Sequence, residues 1–336
     1  MRIGIAGVGF MGITHSHAWS ETSAQITGMV AASVEEAKPL AFQYDARVYP
    51  DFTTMLKDID VVDICTPTHL HYEMVMEAAA QGKDIVCEKP LARTVEQASE
   101  MVAACRDASV QLLVGHVVRY FPEYALAKTS VEDGQIGRPG VLRLSRGSYR
   151  PKKTVGNWFL DEEKSGGILM DLMIHDFDYA RWVAGEVESV FAKIVSTGHP
   201  DASIDYGLAI LRHRNGALSH IAGAWAYPPP TFRTHIEIAG DAGLIEFDSD
   251  ASAPIQSLLL KSDRGNSPDV ALPSSPLSES PYTTQIKEFY TTLQTRKPAR
   301  VSAEDGLAAV QISQAAIHSA KTNKAVGIDP LPEVWS

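Results

Sequence analysis

Short apolar runs and longer amphipathic stretches alternate along the first 120 residues. The runs Arg2–Ala6, Gln25–Ala32, Val61–Cys65, Asp84–Cys87 and Val110–Gly115 predict strands. Between them, Leu70–Ala80 and Val95–Ala108 place apolar residues three and four apart, the period of a helix buried on one side. Gly82 follows the first of these where a helix usually ends, and Thr94 with Gln97 opens the second as a capping box. Strands alternating with helices predict βαβ units and a doubly wound parallel sheet.

From about residue 121 the pattern changes. Val141–Ser148, Val187–Val195, Tyr206–Arg212, Ala217–Ala226, Arg233–Ala239 and Leu244–Asp248 alternate or run apolar as strands. Asn215-Gly216 joins two of them as a hairpin signal. Consecutive strands with hairpin links predict a large, mainly antiparallel sheet. Ser262–Pro281, rich in Ser, Pro, Asp and Gly, reads as a surface loop, and Tyr282–Gln294 and Ala303–Lys321 read as closing helices. The expected fold is α/β in two domains, 1–120 and 121–336, with the C-terminal helices free to pack back on the first.

Composition narrows the function. A chain of 336 residues, 45% hydrophobic and 21% charged, is of the size and type that forms two globular domains. A net charge of −11 argues against a nucleic-acid partner. No apolar run approaches the ~20 residues that span a bilayer. Ile3-Gly4-Ile5-Ala6 leads straight into a glycine motif and is too short for a secretory core, so no signal peptide is expected. The three cysteines, Cys65, Cys87 and Cys105, lack metal-type or disulfide-framework spacing, which fits a reducing cytoplasm.

Gly7-Val8-Gly9-Phe10-Met11-Gly12 falls between the first strand and a helical stretch. In that context the first glycine permits a tight turn, the second admits a pyrophosphate to the backbone, and the third allows close helix packing. The helix N-terminus offers N–H donors and a positive dipole end. About 20 residues on, where an acid usually grips the ribose, the sequence reads Ala31-Ala32-Ser33-Val34-Glu35-Glu36. Ser33 there removes repulsion against a 2′-phosphate, yet no Arg follows; Lys38 is the nearest cation and Glu35 can accept from a ribose. Either NAD or NADP fits.

Three further segments follow in order: Thr66-Pro67-Thr68-His69-Leu70-His71, then Glu88-Lys89-Pro90, then Ser165-Gly166-Gly167-Ile168-Leu169-Met170-Asp171-Leu172-Met173-Ile174-His175-Asp176-Phe177-Asp178. With the glycine loop, the set resembles the Gfo/Idh/MocA oxidoreductases over nearly the whole chain, the last segment resembling the inositol dehydrogenase type. The resemblance implies a nicotinamide-dependent dehydrogenase acting on a sugar, cyclitol or related polyol. It also implies a second domain whose open sheet packs against a partner in a homodimer or homotetramer, and no metal. It places Thr66, Pro67, His71, Glu88 and Lys89 at the cofactor, beside Gly7, Gly9, Phe10, Met11, Gly12 and Ser33.

The residues themselves support this chemistry. Lys89 stands just past a strand's carboxyl end, where α/β sheets bind ligands, and its ammonium suits a developing alkoxide. Asp171 and His175 are four apart and share a face if one helix carries both, with Asp178 a turn further and Asp176 pointing elsewhere. The bland reading of this segment is a helix start with acids placed for the dipole. A metal reading of Asp171, His175 and Asp178 finds no further cluster in support. His15 is expected near the cofactor, and His17 packed or exposed. Asn157, Trp158 and Arg119 are candidate substrate contacts, although His116, Arg119 and Tyr120 equally suit a crossover between domains. Two rival functions share the fold: a transient redox step on bound NAD during glycosidic cleavage, and a non-catalytic cofactor-binding regulator.

Overall fold

The computed structural model describes residues 1–151, 158–197, 205–250 and 279–331. In chain order the first elements are β1 (Arg2–Ala6), α1 (Phe10–Ser20), β2 (Gln25–Val30), α2 (Val34–Gln43), β3 (Arg47–Val48), α3 (Phe52–Leu56), β4 (Val61–Ile64), α4 (His71–Ala80), β5 (Asp84–Cys87), α5 (Val95–Asp107) and β6 (Leu112–Val114). After them come α6 (Pro122–Glu132), β7 (Pro139–Ser148), α7 (Glu162–Ser165), α8 (Gly167–Asp171), α9 (Ile174–Ala184), β8 (Val187–Ser196), β9 (Asp205–His213) and β10 (Leu218–Trp225). The chain closes with β11 (Phe232–Gly240), β12 (Leu244–Asp248), α10 (Pro281–Thr295), α11 (Ala303–Thr322) and β13 (Val326–Gly327). Two compact units result: Met1–Tyr120 with Ser275–Val310, and Phe121–Ser274 with Gln311–Ser336. The Ser262–Pro281 stretch lies almost wholly outside the described residues.

The first unit is a six-stranded parallel sheet in the order β3-β2-β1-β4-β5-β6. Its strands are buried on both faces: Ile3, Ile5, Val62, Ile64, Ile85 and Val86 have 1% exposure or less, which explains why they read as continuous apolar runs. The order reverses between β1 and β4, so the crevice at their carboxyl ends is the natural ligand position. The predicted capping box is half formed, Thr94 accepting from the Gln97 amide at 3.2 Å. Three elements, β3, α2 and α3, lie in stretches without a strong period; a two-residue edge strand carries none.

The second unit is a seven-stranded sheet, β12-β11-β7-β10-β9-β8-β13, antiparallel except where β7 runs beside β10. Gly216, at φ +93°, turns the predicted hairpin. On β9 the residues alternate strictly: Gly207, Ala209 and Leu211 are buried, while Tyr206, Leu208 and Ile210 are 41–48% exposed. The helical segment carrying Asp171 and His175 departs from expectation. It is not one helix; α8 ends at Asp171 and α9 begins at Ile174. The physical reason lies in the sheet. Gly207 and Gly223 face each other across β9 and β10, and a Cβ on either would collide with Met173. The two glycines form a groove that takes the Met173 side chain at the break.

Candidate active site

The glycine loop of the first unit divides into two glycines the protein needs and one it leaves open. Gly7 sits at φ +95°, and a Cβ there would lie 2.7 Å from the Cys65 carbonyl oxygen. A Cβ on Gly12 would lie 2.9 Å from the Gly7 carbonyl carbon and closer still to its oxygen. Gly9 has an ordinary φ of −72°, and a Cβ there would meet nothing within 4 Å. That empty ground lies at the start of α1, which has no side-chain cap and no acid in its first turn. The amides of Phe10, Met11 and Gly12 have no partner within the helix and face the same end. A pyrophosphate fits such a cradle by charge and by space. Phe10 and Met11 enter it through their backbones; their side chains are half-buried.

Beyond β2, Ser33 caps α2, its Oγ accepting from the Glu36 amide at 3.3 Å. Lys38 pairs with Glu35 at 2.5 Å on the exposed face. That stretch thus holds a hydroxyl already engaged as a cap and a lysine already paired.

At the ends of β4 and β5 the expected residues converge on buried polar contacts. Thr66 follows β4, its hydroxyl 3.4 Å from the Met74 sulfur, and Pro67 precedes a short 3-10 turn over Thr68–Leu70. His71 is 1% exposed, its Nδ1 2.9 Å from the Pro90 carbonyl oxygen and its Nε2 2.9 Å from that of Thr66. Two carbonyl acceptors call for two N–H donors, an imidazolium, yet burial outweighs both and pulls the His71 pKa below its ordinary value. Glu88 is 6% exposed, its carboxylate turned inward. Lys89 is half-buried, in a cis peptide with Pro90.

His15, expected near the cofactor, lies at the centre of a buried acid cluster. Its Nδ1 is 2.9 Å from Asp63, and Trp19 donates its indole N–H to the same carboxylate at 2.7 Å. Nε2 stands 3.1 Å from Glu88 Oε1, within ion-pair reach but off hydrogen-bond alignment. Burial pushes the ring toward neutrality, but Asp63 and Cys65 together outweigh it and hold the pKa well above the ordinary imidazole value. His15, Asp63 and Cys65 present donor atoms within 4.8 Å of one another, the spacing of a metal site. The Asp63 carboxylate already accepts two N–H groups, from His15 and Trp19, so acid and imidazole are paired with each other here. Sequence spacing could not join His15 to Asp63, but one signal was present: Asp63 is the lone charge in the apolar strand Val61-Val62-Asp63-Ile64. His17 is exposed. Arg119, a substrate candidate by sequence, is 1% exposed, and its Nη1 bonds Asp305 at 3.0 Å and the Arg300 carbonyl at 2.9 Å.

In the second unit, Gly166 and Gly167 both have positive φ, +83° and +64°, and make the turn between α7 and α8. Asp171 is 8% exposed and His175 half-buried. Asp176, which the sequence sets apart from the stripe, makes a bidentate ion pair with buried Arg146 at 2.8 Å through both oxygens. That pair ties α9 to β7. Trp158 is half-buried and stacks on Phe159, ring centroids 4.0 Å apart; Asn157 lies outside the described residues. Among the described residues no helix is long and apolar enough to cross a membrane.

A parallel sheet in this order, with an uncapped helix N-terminus behind a bare glycine at the switch point, defines a dinucleotide-binding protein of the Rossmann class. The chain belongs to the Gfo/Idh/MocA family: residues 1–116 match its oxidoreductase, NAD-binding Rossmann-fold part, and residues 124–246 match the GFO/IDH/MocA C-terminal domain. It is 29% identical to the myo-inositol 2-dehydrogenase of Thermotoga maritima, over 98% of this chain and 99% of that one. It is 27% identical to the 1,5-anhydro-D-fructose reductase of Ensifer adhaerens, over 92% of each. A solved structure of levoglucosan dehydrogenase with NADH and levoglucosan superposes with a TM-score of 0.83 at 26% identity, covering 98% of this chain and 99% of that one.

Proposed function

We propose that the protein oxidises, reversibly, a secondary hydroxyl of a sugar, cyclitol or related polyol with NAD or NADP. The observation that carries the reading is the bare cradle at Gly9 and the α1 N-terminus, in a chain aligned end to end with dehydrogenases and reductases of such substrates. When bound, the nicotinamide supplies the hydride acceptor. The alcohol C–H gives up its electron pair as hydride, the O–H proton leaves to a base, and a ketone remains. We assign the proton to His175, the orientation of its ring to Asp171, and stabilisation of the developing alkoxide to Lys89. Gly7, Gly9, Phe10, Met11 and Gly12 hold the pyrophosphate. Ser33 lies toward the ribose; Thr66, Pro67, His71 and Glu88 shape the loops on the nicotinamide side. Trp158 and Asn157 are assigned to the substrate wall. Arg119, spent on Asp305 and Arg300, supports this better as a brace than as a substrate ligand.

The reading extends to a homo-oligomer in a reducing cytoplasm without nucleic-acid partners. Its supports are the half-exposed apolar stripe of Phe191, Val195, Tyr206, Leu208 and Ile210 on β8 and β9, three free thiols, and the net charge of −11. Ile210→Glu should shift the mass measured by light scattering from oligomer to monomer; an unchanged oligomer would remove this face from the interface.

The function is tested by incubating the purified protein with inositols, hexoses, anhydrosugars and sugar acids, with NAD and NADP separately, and following nicotinamide absorbance. Turnover of a secondary alcohol is expected. Cofactor carried through purification with substrate cleaved but no net reduction would replace the reading with a transient redox step. Binding of cofactor with no chemistry on any substrate would replace it with a regulatory role.

A further inference from the structure

Two buried histidines flank Lys89 from opposite directions along the chain. His15, fully buried on α1, brings Nε2 to 3.1 Å from Oε1 of Glu88, the residue before Lys89. His71, opening α4, brings Nδ1 to 2.9 Å from the carbonyl of Pro90, the residue after it. The far nitrogen of each ring also meets the protein: His15 Nδ1 bonds Asp63, itself held by Trp19, and His71 Nε2 lies 2.9 Å from the Thr66 carbonyl, which shares the ring's N–H with Pro90. Gly115 completes the fit, since a Cβ there would lie 2.5 Å from Glu88 Oε1. Neither ring faces open space: all four ring nitrogens lie within 3.1 Å of protein oxygens, His15 Nε2 in ion-pair reach of Glu88 without a hydrogen bond.

We propose that His15 and His71 are positioning residues for Lys89: they clamp the Glu88 carboxylate and the Pro90 carbonyl and so set where the Lys89 ammonium is carried. The inference rests on the assignment of Lys89 as the alkoxide-stabilising group. A lysine is a point charge on a flexible four-carbon stem, so its placement depends on how firmly the backbone beneath it is held. A shift of 1 Å at a reacting group costs up to ~10²-fold in rate.

Paired substitutions isolate the clamp from bulk packing. An Asn amide stands where Nδ1 stood and a Gln amide where Nε2 stood. His15→Gln therefore keeps a donor toward Glu88, while His15→Asn keeps only the bond to Asp63. His71→Asn keeps the tie to Pro90, while His71→Gln keeps only the tie to Thr66. Hydrogen exchange of the full chain without cofactor reads the amides of Lys89 and Leu91 directly. His15→Asn and His71→Gln should exchange them at least ~10-fold faster than wild type, with His15→Gln and His71→Asn within about threefold. Equal acceleration in both members of a pair, or none, overturns the proposal. Turnover supplies the second arm, with myo-inositol and levoglucosan as probes. The two clamp-breaking variants should lose ~10- to 100-fold in kcat at saturating cofactor, yet only about twofold more in a Lys89→Ala background, where no ammonium remains to be placed. Near-normal turnover in Lys89→Ala alone would overturn the role of Lys89 itself. A damaged Lys89→Ala with fully multiplicative histidine losses would overturn the clamp and leave Lys89 standing.

Discussion

The glycine loop separates folding from binding residue by residue, because its three glycines meet three different surroundings. At Gly9 a methyl group enters open space at φ −72°, which alanine accepts. Glycine is the better N-cap by up to about 1 kcal/mol, but alanine restricts the unfolded chain by about 0.4–1 kcal/mol, so Gly9→Ala should leave stability within about 1 kcal/mol. Gly7→Ala meets both the positive φ, roughly 1–3 kcal/mol, and the Cys65 carbonyl at 2.7 Å. Gly12→Ala drives a methyl into the Gly7 carbonyl, and neither backbone can yield without opening the turn. Overpacking of that kind costs about 1–3 kcal/mol or more. At about 2–4 °C per kcal/mol for a unit of this size, Gly7→Ala and Gly12→Ala should melt roughly 2–12 °C low or more, with Gly9→Ala near wild type. Gly9→Val should also fold, yet lose NAD or NADP affinity by about 10- to 100-fold, roughly 1.4–2.8 kcal/mol, because its branches occupy the phosphate's approach. Thermal unfolding without cofactor and calorimetric titration with cofactor measure the two effects apart. Unchanged affinity in Gly9→Val, or a Gly12→Ala as stable as wild type, would refute the division of labour.

His175→Asn should keep fold and cofactor affinity, slow oxidation by roughly 10²–10⁴-fold, and erase the single ionisation through which the rate rises with pH; an unchanged pH profile would move the proton to another group. Asp176→Ala, one residue on, should do the reverse of a catalytic lesion: it leaves Arg146 buried and unpaired and should cost about 3–5 kcal/mol in denaturant unfolding, a cost that near-wild-type stability would contradict. The folded-state pKa of His15 is raised, so its ion pair stabilises fully below about 6.5, the unfolded value, and fades as pH rises through the folded value. The stability gap between wild type and His15→Asn should therefore be widest at acid to neutral pH and shrink in alkali, where Asp63, Glu88 and Cys65 remain facing the site; a gap that widens in alkali would be the wrong sign. Burial pushes all three thiols up, that of Cys105 to about 12, leaving about one thiolate in 10⁴ at pH 8. Iodoacetamide should leave the buried Cys87 and Cys105 of the native protein unlabelled on a timescale that labels three cysteines once it is unfolded, as read by intact mass and peptide mapping; rapid labelling of either in the native state would show their burial to be wrong.

Much of this molecule was legible in one dimension. Strands buried on both faces must be apolar throughout, so β1, β4 and β5 appeared at once, and a glycine loop between a strand and a helix has few other uses. Lys89 could be singled out because Pro90 beside it marks the chain turning at a strand end, and Asp171 and His175 because they stand four apart in a segment, opened by Gly166-Gly167, that resembles the family. What the sequence could not show is what lies across from what. Asp63 was visible as a charge inside an apolar strand, but its partner is 48 residues away on another element, and pairing at that distance is set by how β1, β4 and α1 pack, not by spacing. The four-residue interval from Asp171 to His175 suggested one helix face. At the break, Leu172–Met173, the Met173 side chain packs against two glycines on separate strands that no local spacing could reveal. Arg119 suits a substrate contact or a crossover equally by sequence, and its partner Asp305 comes from the far end of the chain. Local periodicity and turn chemistry act over a few residues and are written in order. Burial and charge pairing act over a few ångströms, and only the folded chain decides which residues those are.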